Sequence, residues 1–141
     1  MGLTADELNL FLNEHFTQVA DCMRVEDHGQ ESVVVRLTPD ERHLRPGGTV
    51  SGPAMFALAD AGFYIAILEQ IGTVALAVTT NASIDFMRKP AAGQDLLCHS
   101  RILKIGKSLV VGDVLIYSEG QAKPVARANL TYSIPPERGV K

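Results

Sequence analysis

The 141-residue chain has no tryptophan, two cysteines and few aromatic side chains. Cys22 and Cys98 lie far apart with no CxxC pair, so neither a disulfide framework nor a thiolate metal knuckle is expected. Two buried, reduced thiols in a cytoplasmic protein is the expectation. The histidines, His15, His28, His43 and His99, show no ligand spacing, so no metal and no resident cofactor is expected. Basic charge is also short, at 13 Lys and Arg against 16 Asp and Glu, which argues against nucleic acid as a partner. No basic stretch leads into an apolar run at the start, so no secretory signal is expected. With 46% hydrophobic residues, the chain reads as a single domain over residues 1–141 with a core of its own.

The charge that is present is unevenly spread. Met1 to Glu31 carries seven acids and one base, Arg24. Arg88 to Lys107 carries five bases and one acid, Asp95. The basic segment reads either as a solvated strand surface or as a site for an anionic ligand.

One long apolar run remains, from Gly47 to Gly72. Ser51 or Gly52 can cap a helix, Pro53 suits its first turn, and Gly72 marks its stop, which predicts a helix over about 52–71. Asp60 interrupts the run, and the run is short for a membrane span, so a core helix and no membrane contact are expected. Apolar side chains occupy nearly the whole circumference, so the helix must be buried on nearly all sides. Asp60, among Ala57, Leu58, Ala59, Ala61 and Phe63, has no base close by in sequence. It is exposed, partnered from afar, or chemically active.

In chain order, Thr4-Ala5-Asp6-Glu7 is a capping box opening a short amphipathic helix over residues 4–15, within an N-terminal segment 1–16. Val19 to Val25 is read as a first strand and Glu31 to Thr38 as a second, followed by a loop over 39–51. After Gly72, residues 73–87, 95–105, 108–117 and 124–134 are β-rich and joined by turn signals, which reads as an antiparallel meander. Residues 135–141 form a tail. The fold class is therefore α+β: about six antiparallel strands curved around one long helix. A symmetric dimer would cover what the sheet leaves open.

The order of elements, with HLRPGGTVSGPAMFALAD and IDFMRKPAAG, resembles the hotdog-fold thioesterases, and within them the group named for phenylacetic acid degradation. The resemblance covers about residues 40–134. It implies a hotdog fold, acyl-CoA as substrate, coenzyme A as part of that substrate rather than a cofactor, and a homodimer, as a dimer of dimers. Against the family's motif, Gly48 and Gly52 match, and Asp60 matches the catalytic carboxylate eight residues after Gly52. Arg45, Ser51 and Pro53 stand where the family has Asn, His and the second Gly.

The resemblance implies Asp60 as base or nucleophile and the Gly52 amide as oxyanion donor. Arg45, Gly48, Ser51, Thr79 and Thr80 would orient the substrate. Arg88, Lys89 and Lys107 would hold the phosphates of coenzyme A. Arg45 has two readings: it holds a ligand anion, or it pairs with Asp60 and neutralises it. Eight residues of helix span about 12 Å, too far for Gly52 and Asp60 of one chain to serve one carbonyl. If both act, they meet across a two-fold axis. The alternatives are a non-catalytic acyl-CoA sensor, for which the three departures speak, and a hotdog dehydratase, which would need a histidine near the motif, where only His43 stands.

Overall fold

The computed structural model describes residues 2–29, 33–74 and 76–135. Two short helices, α1 (Ala5–His15) and α2 (Thr17–Ala20), precede β1 (Met23–Glu26) and β2 (Val34–Leu37). A 3-10 turn (Glu41–His43) leads to α3 (Gly52–Ile71), and β3 (Val78–Phe86), β4 (Leu96–Ile105), β5 (Leu109–Ser118) and β6 (Ala126–Ser133) follow. The Thr4 and Glu7 capping box opens α1 as its sequence demands. The expected first strand starts later than its β-branched residues suggested. Residues 17–20 continue as a helical turn because the Phe16 carbonyl accepts from Val19 and Ala20, and only Met23 onwards pairs with β2. Residues 31–32 of the expected second strand and 136–141 of the expected tail lie outside the described residues.

The six strands form one antiparallel sheet in the order β1-β2-β4-β5-β6-β3. This corrects the meander. β3 does not pair with β4 but crosses to the far edge and pairs with β6, from Val78↔Ser133 to Phe86↔Ala126. The connection through Lys89, Pro90 and Gly93 is long enough for that crossing, whereas the turn at 106–108 and the loop at 119–125 join strands that pair as neighbours, β4 with β5 and β5 with β6.

α3 lies in the hollow of this sheet. Its 18-residue apolar window has a mean hydropathy of 1.4, enough by length and composition to cross a membrane, yet 67% of it is buried inside the domain. Phe63, Leu58, Ile65, Ile67 and Leu68 are fully enclosed, each contributing roughly 1.5–3 kcal/mol by burial. Two glycines set how closely helix and sheet approach. A Cβ at Gly62 would come 2.4 Å from Cys98 Sγ, and one at Gly112 would come 2.4 Å from the Phe63 ring. Cys98 is buried, as expected of both thiols, whereas Cys22 is only half-buried.

The sheet leaves one stripe of α3 uncovered. Pro53, Phe56 and Ala57, spaced at helical intervals, are exposed, Phe56 by 40%. Beside that stripe runs β3, an edge strand exposed along most of its length.

Candidate active site

Asp60 sits at the uncovered side of α3, half-buried, and it is partnered from the sheet. Thr79 Oγ1 donates to Asp60 Oδ1 at 2.6 Å. The Tyr132 hydroxyl reaches the same Oδ1 at 2.8 Å and the Asp60 carbonyl at 2.9 Å. These contacts all fall on one side of the residue. Oδ1 is anchored twice, and Oδ2 has no partner among the described residues. Such donors fix the rotation of a carboxylate and leave one oxygen to face outward.

The two donors stand opposite each other in neighbouring strands, Thr79↔Tyr132. A β-bulge follows at once: Thr79 pairs with Tyr132 and Asn81 with Thr131, so Thr80 is the extra residue. Thr80 accordingly points its hydroxyl to the Thr131 carbonyl at 3.2 Å and not to Asp60. Of the adjacent threonines, Thr79 alone reaches the carboxylate.

Tyr132 was not legible as a site residue. In the sequence it is one of an alternating apolar face with Ala126, Ala128, Leu130 and Ile134. The available signal was its hydroxyl, because a buried phenol needs a hydrogen-bond partner. Burial, together with the nearby Asp60 charge, drives the phenol's pKa far above its usual value, so Tyr132 stays protonated and can only donate to the carboxylate.

Asp60 lies on the wall of a cavity of about 730 Å³. Its apolar lining includes Phe16, Val19, Met23, Ala61 and Tyr64, so α1–α2 and β1 close it from one side. Tyr64 stacks on Tyr132 with ring centroids 6.1 Å apart, and Phe16 meets Tyr64 edge-on at 5.8 Å. Asp60 is the only acid among the described lining residues. A second large space, about 740 Å³, lies by Glu69, Gln70 and His99, away from this carboxylate.

The remaining expected residues gather elsewhere. Gly52, Arg45, Arg88 and Lys89 line a separate, shallower cavity of about 410 Å³ with Phe86 and Met87. Ser51 caps α3, its Oγ accepting from the Ala54 amide at 3.3 Å. The Gly52 amide, next in the chain, has no acceptor among the described residues, as the first helical amides lack intrahelical partners. Gly48 holds φ at +84° in the turn that closes on the Arg45 carbonyl, a conformation glycine adopts freely. Arg45 makes no ion pair with Asp60, and the two line different cavities. Lys107 does not join Arg88 and Lys89, because β4 carries it to the β4–β5 turn at the other end of the sheet. Arg101, in the same basic segment, is engaged by Asp113 at 2.8 Å. No group of three or more His, Cys, Asp or Glu side chains among the described residues could hold a metal ion.

The chain is similar to a candidate thioesterase of Silicibacter sp. TM1040, with 53% identity, a TM-score of 0.86, and coverage of 95% of this chain and 93% of that one. A candidate esterase of Pseudomonas aeruginosa is 29% identical over 106 residues, 75% of this chain and 78% of that protein. The PaaI protein of the Escherichia coli phenylacetic acid degradation operon shares the fold at 24% identity, with a TM-score of 0.78 over 94% of each chain. The family model described as the thioesterase superfamily matches residues 47–125, which hold α3, β3, β4 and β5. With a six-stranded antiparallel sheet curved around one long helix, the chain belongs to the thioesterase superfamily and has its hotdog fold.

Proposed function

We propose that the protein is an acyl-CoA thioesterase acting as a symmetric homodimer, with Asp60 of one subunit and the Gly52 amide of the other serving one thioester carbonyl. The observation that carries this reading is the Asp60 carboxylate itself, pinned through Oδ1 and open at Oδ2 on the wall of a large, mostly apolar cavity.

The surface supports the dimer. Among the described residues β3 has an unpaired hydrogen-bonding edge, and on or beside it lie exposed Phe56, Val78, Phe86 and Met87. Unpaired edges and contiguous apolar surface are features that association covers. Asp60 meets β3 at its start, through Thr79, while Gly52 lies against its end, where a Cβ would come 3.4 Å from the Phe86 ring. Pairing β3 antiparallel with a second copy about its middle lays the start of one strand beside the end of the other. That pairing sets Asp60 opposite the partner's Gly52 and joins the deep cavity of one subunit to the shallow basic one of the next.

In this arrangement the acyl group enters the deep cavity, and Arg88 and Lys89 meet the phosphates of coenzyme A. Oδ2 takes a proton from water as that water attacks the carbonyl carbon, or attacks the carbon itself to give an anhydride that water then opens. On either route the charge developing on the carbonyl oxygen falls on the Gly52 amide at the positive end of α3. Collapse breaks the C–S bond, and the thiolate of coenzyme A leaves and takes up a proton.

Within one subunit Asp60 and Arg45 line different cavities, so no pair between them in a single chain supports the sensor alternative. Thiol release from a panel of acyl-CoAs is the deciding assay, with the Asp60→Asn protein beside the wild type. The expected loss is at least about a hundredfold. Equal rates in the two proteins, or no release from any acyl-CoA, would overturn the reading.

A further inference from the structure

His43 lines the same cavity as Asp60, although no catalytic role has been given to it. Its ring is held by a local device. The Asp40 backbone N–H donates to His43 Nδ1 at 2.9 Å, while the Asp40 carboxylate accepts from the Arg42 amide, closing the 3-10 turn at both ends. A ring nitrogen that accepts an N–H carries no proton, so the neutral imidazole has its hydrogen on Nε2. The main chain is fixed as well, since the His43 carbonyl accepts from the Ser51 amide at 2.8 Å, immediately before α3.

Nε2–H has no acceptor among the described residues. The side chain is only 15% exposed, and no buried side-chain polar atom among them lacks a partner, so Nε2 keeps accessible surface on a residue that lines the cavity. Of the other polar groups on this wall, Arg42 is held by Asp21 and Asp40, and His15 and Gln18 are exposed at the rim. His43 is thus a fixed donor, without an acceptor, facing the space the acyl group would fill.

We propose that His43 determines specificity by donating Nε2–H to an oxygen of the acyl group other than the thioester carbonyl, so that the substrates carry a hydroxyl, ether or keto oxygen. The inference rests on the thioesterase reading and deepens it. A plain hydrocarbon acyl group would strip water from Nε2–H and return no hydrogen bond, which disfavours it. A carboxylate is less suited than a neutral oxygen, because Arg42, the one Lys or Arg among the described lining residues, is already paired with two acids.

The test uses two non-hydrolysable acyl-CoA thioethers that differ by one oxygen in the acyl group, with binding measured by calorimetry. Wild type should bind the oxygenated analogue about tenfold more tightly. His43→Phe should abolish that preference without weakening the plain analogue, and His43→Gln, whose amide can place an N–H near the position of Nε2, should keep most of it. No preference in wild type, or equal weakening of both analogues by His43→Phe with no rescue by Gln, would overturn the assignment. Wild type that shows the preference but releases no thiol from the matching thioester upholds the role of His43 while removing hydrolysis. Wild type that binds neither analogue overturns the inference.

Discussion

The two ends of β3 are built from the same chain but offer opposite chemistry. At its start, Asp60, Thr79 and Tyr132 form a fixed hydrogen-bonded group over a deep cavity walled by α1–α2 and aromatic rings. At its end, Gly52, Arg45, Arg88 and Lys89 line a shallow, basic hollow with an unpaired helical amide. One end presents a negative charge and apolar walls, the other positive charge and a backbone donor. Neither end alone has the parts to attack a thioester and stabilise the resulting oxyanion. Two copies related by a two-fold axis have both, twice over.

The largest effect expected from this division is complementation. Asp60→Asn disables the acidic end, and Gly52→Val, whose branched methyls would extend past a Cβ already in contact with Phe86 and meet the thioester carbonyl, disables the other. Each homodimer should be nearly inactive. Refolding the two variants together at equal amounts should restore roughly a quarter of wild-type activity, because half of the dimers then contain one intact site of two. A mixture as inactive as its parents, or an active monomer by sedimentation, would sink the shared site.

A smaller effect separates anchoring from attack at the acidic end. Tyr132→Phe removes one hydroxyl from a buried, stacked ring and leaves its packing in place. Thr79→Val removes the other donor. Each should lower kcat by about tenfold with KM little changed, since a carboxylate that rotates freely spends less time in the attacking geometry. The double variant should lose less than the product of the two if both donors serve the same rotation. Unchanged kcat in both single variants would show that Oδ1 does not need to be held.

Smaller again is the effect of charge at the basic end. Arg88→Ala and Lys89→Ala should each raise KM a few-fold, with kcat held and the effect shrinking as salt is added. Lys107→Ala is the control, since Lys107 lies outside this hollow. A KM shift for Lys107→Ala equal to that of Arg88→Ala would redraw the anion site.

How far the sequence could be read follows the same division. The long helix, its cap at Ser51, the stop at Gly72 and the extent of the last three strands are written in local patterns, because caps, turns and alternation act over a few residues, whereas β3 starts at Val78 and not at the expected residue 73. The place of β3 beside β6 was not, since no local signal distinguishes an edge strand that crosses the sheet from one in a meander. The same limit explains the site. Asp60 was visible as a charge in an apolar run. Tyr132 is 72 residues away and reaches the carboxylate only through the pairing of β3 with β6. His43 likewise comes to the cavity wall through the path of a loop, and Lys107 leaves the basic hollow because ten residues of extended β4 lie between.

The smallest expected effect is on stability, and it distinguishes the two ends by pH. β1 leads from the cavity wall at Cys22 and Met23 to Glu26, which Arg36 of β2 clamps while also reaching Asp95 and Glu119. The hydrogen bond from Arg36 is the main cause holding the Glu26 carboxyl below its ordinary 4.5, with His28 adding to it. A carboxyl lowered by folding stabilises the fold above that ordinary value, and the contribution is lost as pH falls through the lower folded value. Glu26→Gln should therefore melt a few degrees below wild type at neutral pH. The gap should close in acid, once the wild-type carboxyl is itself protonated. The clamp ties β1 to β2, and none of its members lines the basic hollow, although Asp95 and Glu119 sit at the end of the sheet that also carries Phe86. Hydrogen exchange at pH 7 should accordingly quicken in β1 of Glu26→Gln and stay unchanged around Gly52 and Phe86. Faster exchange at both ends would mean that the two halves share one cooperative unit, and that their difference in chemistry has no counterpart in stability.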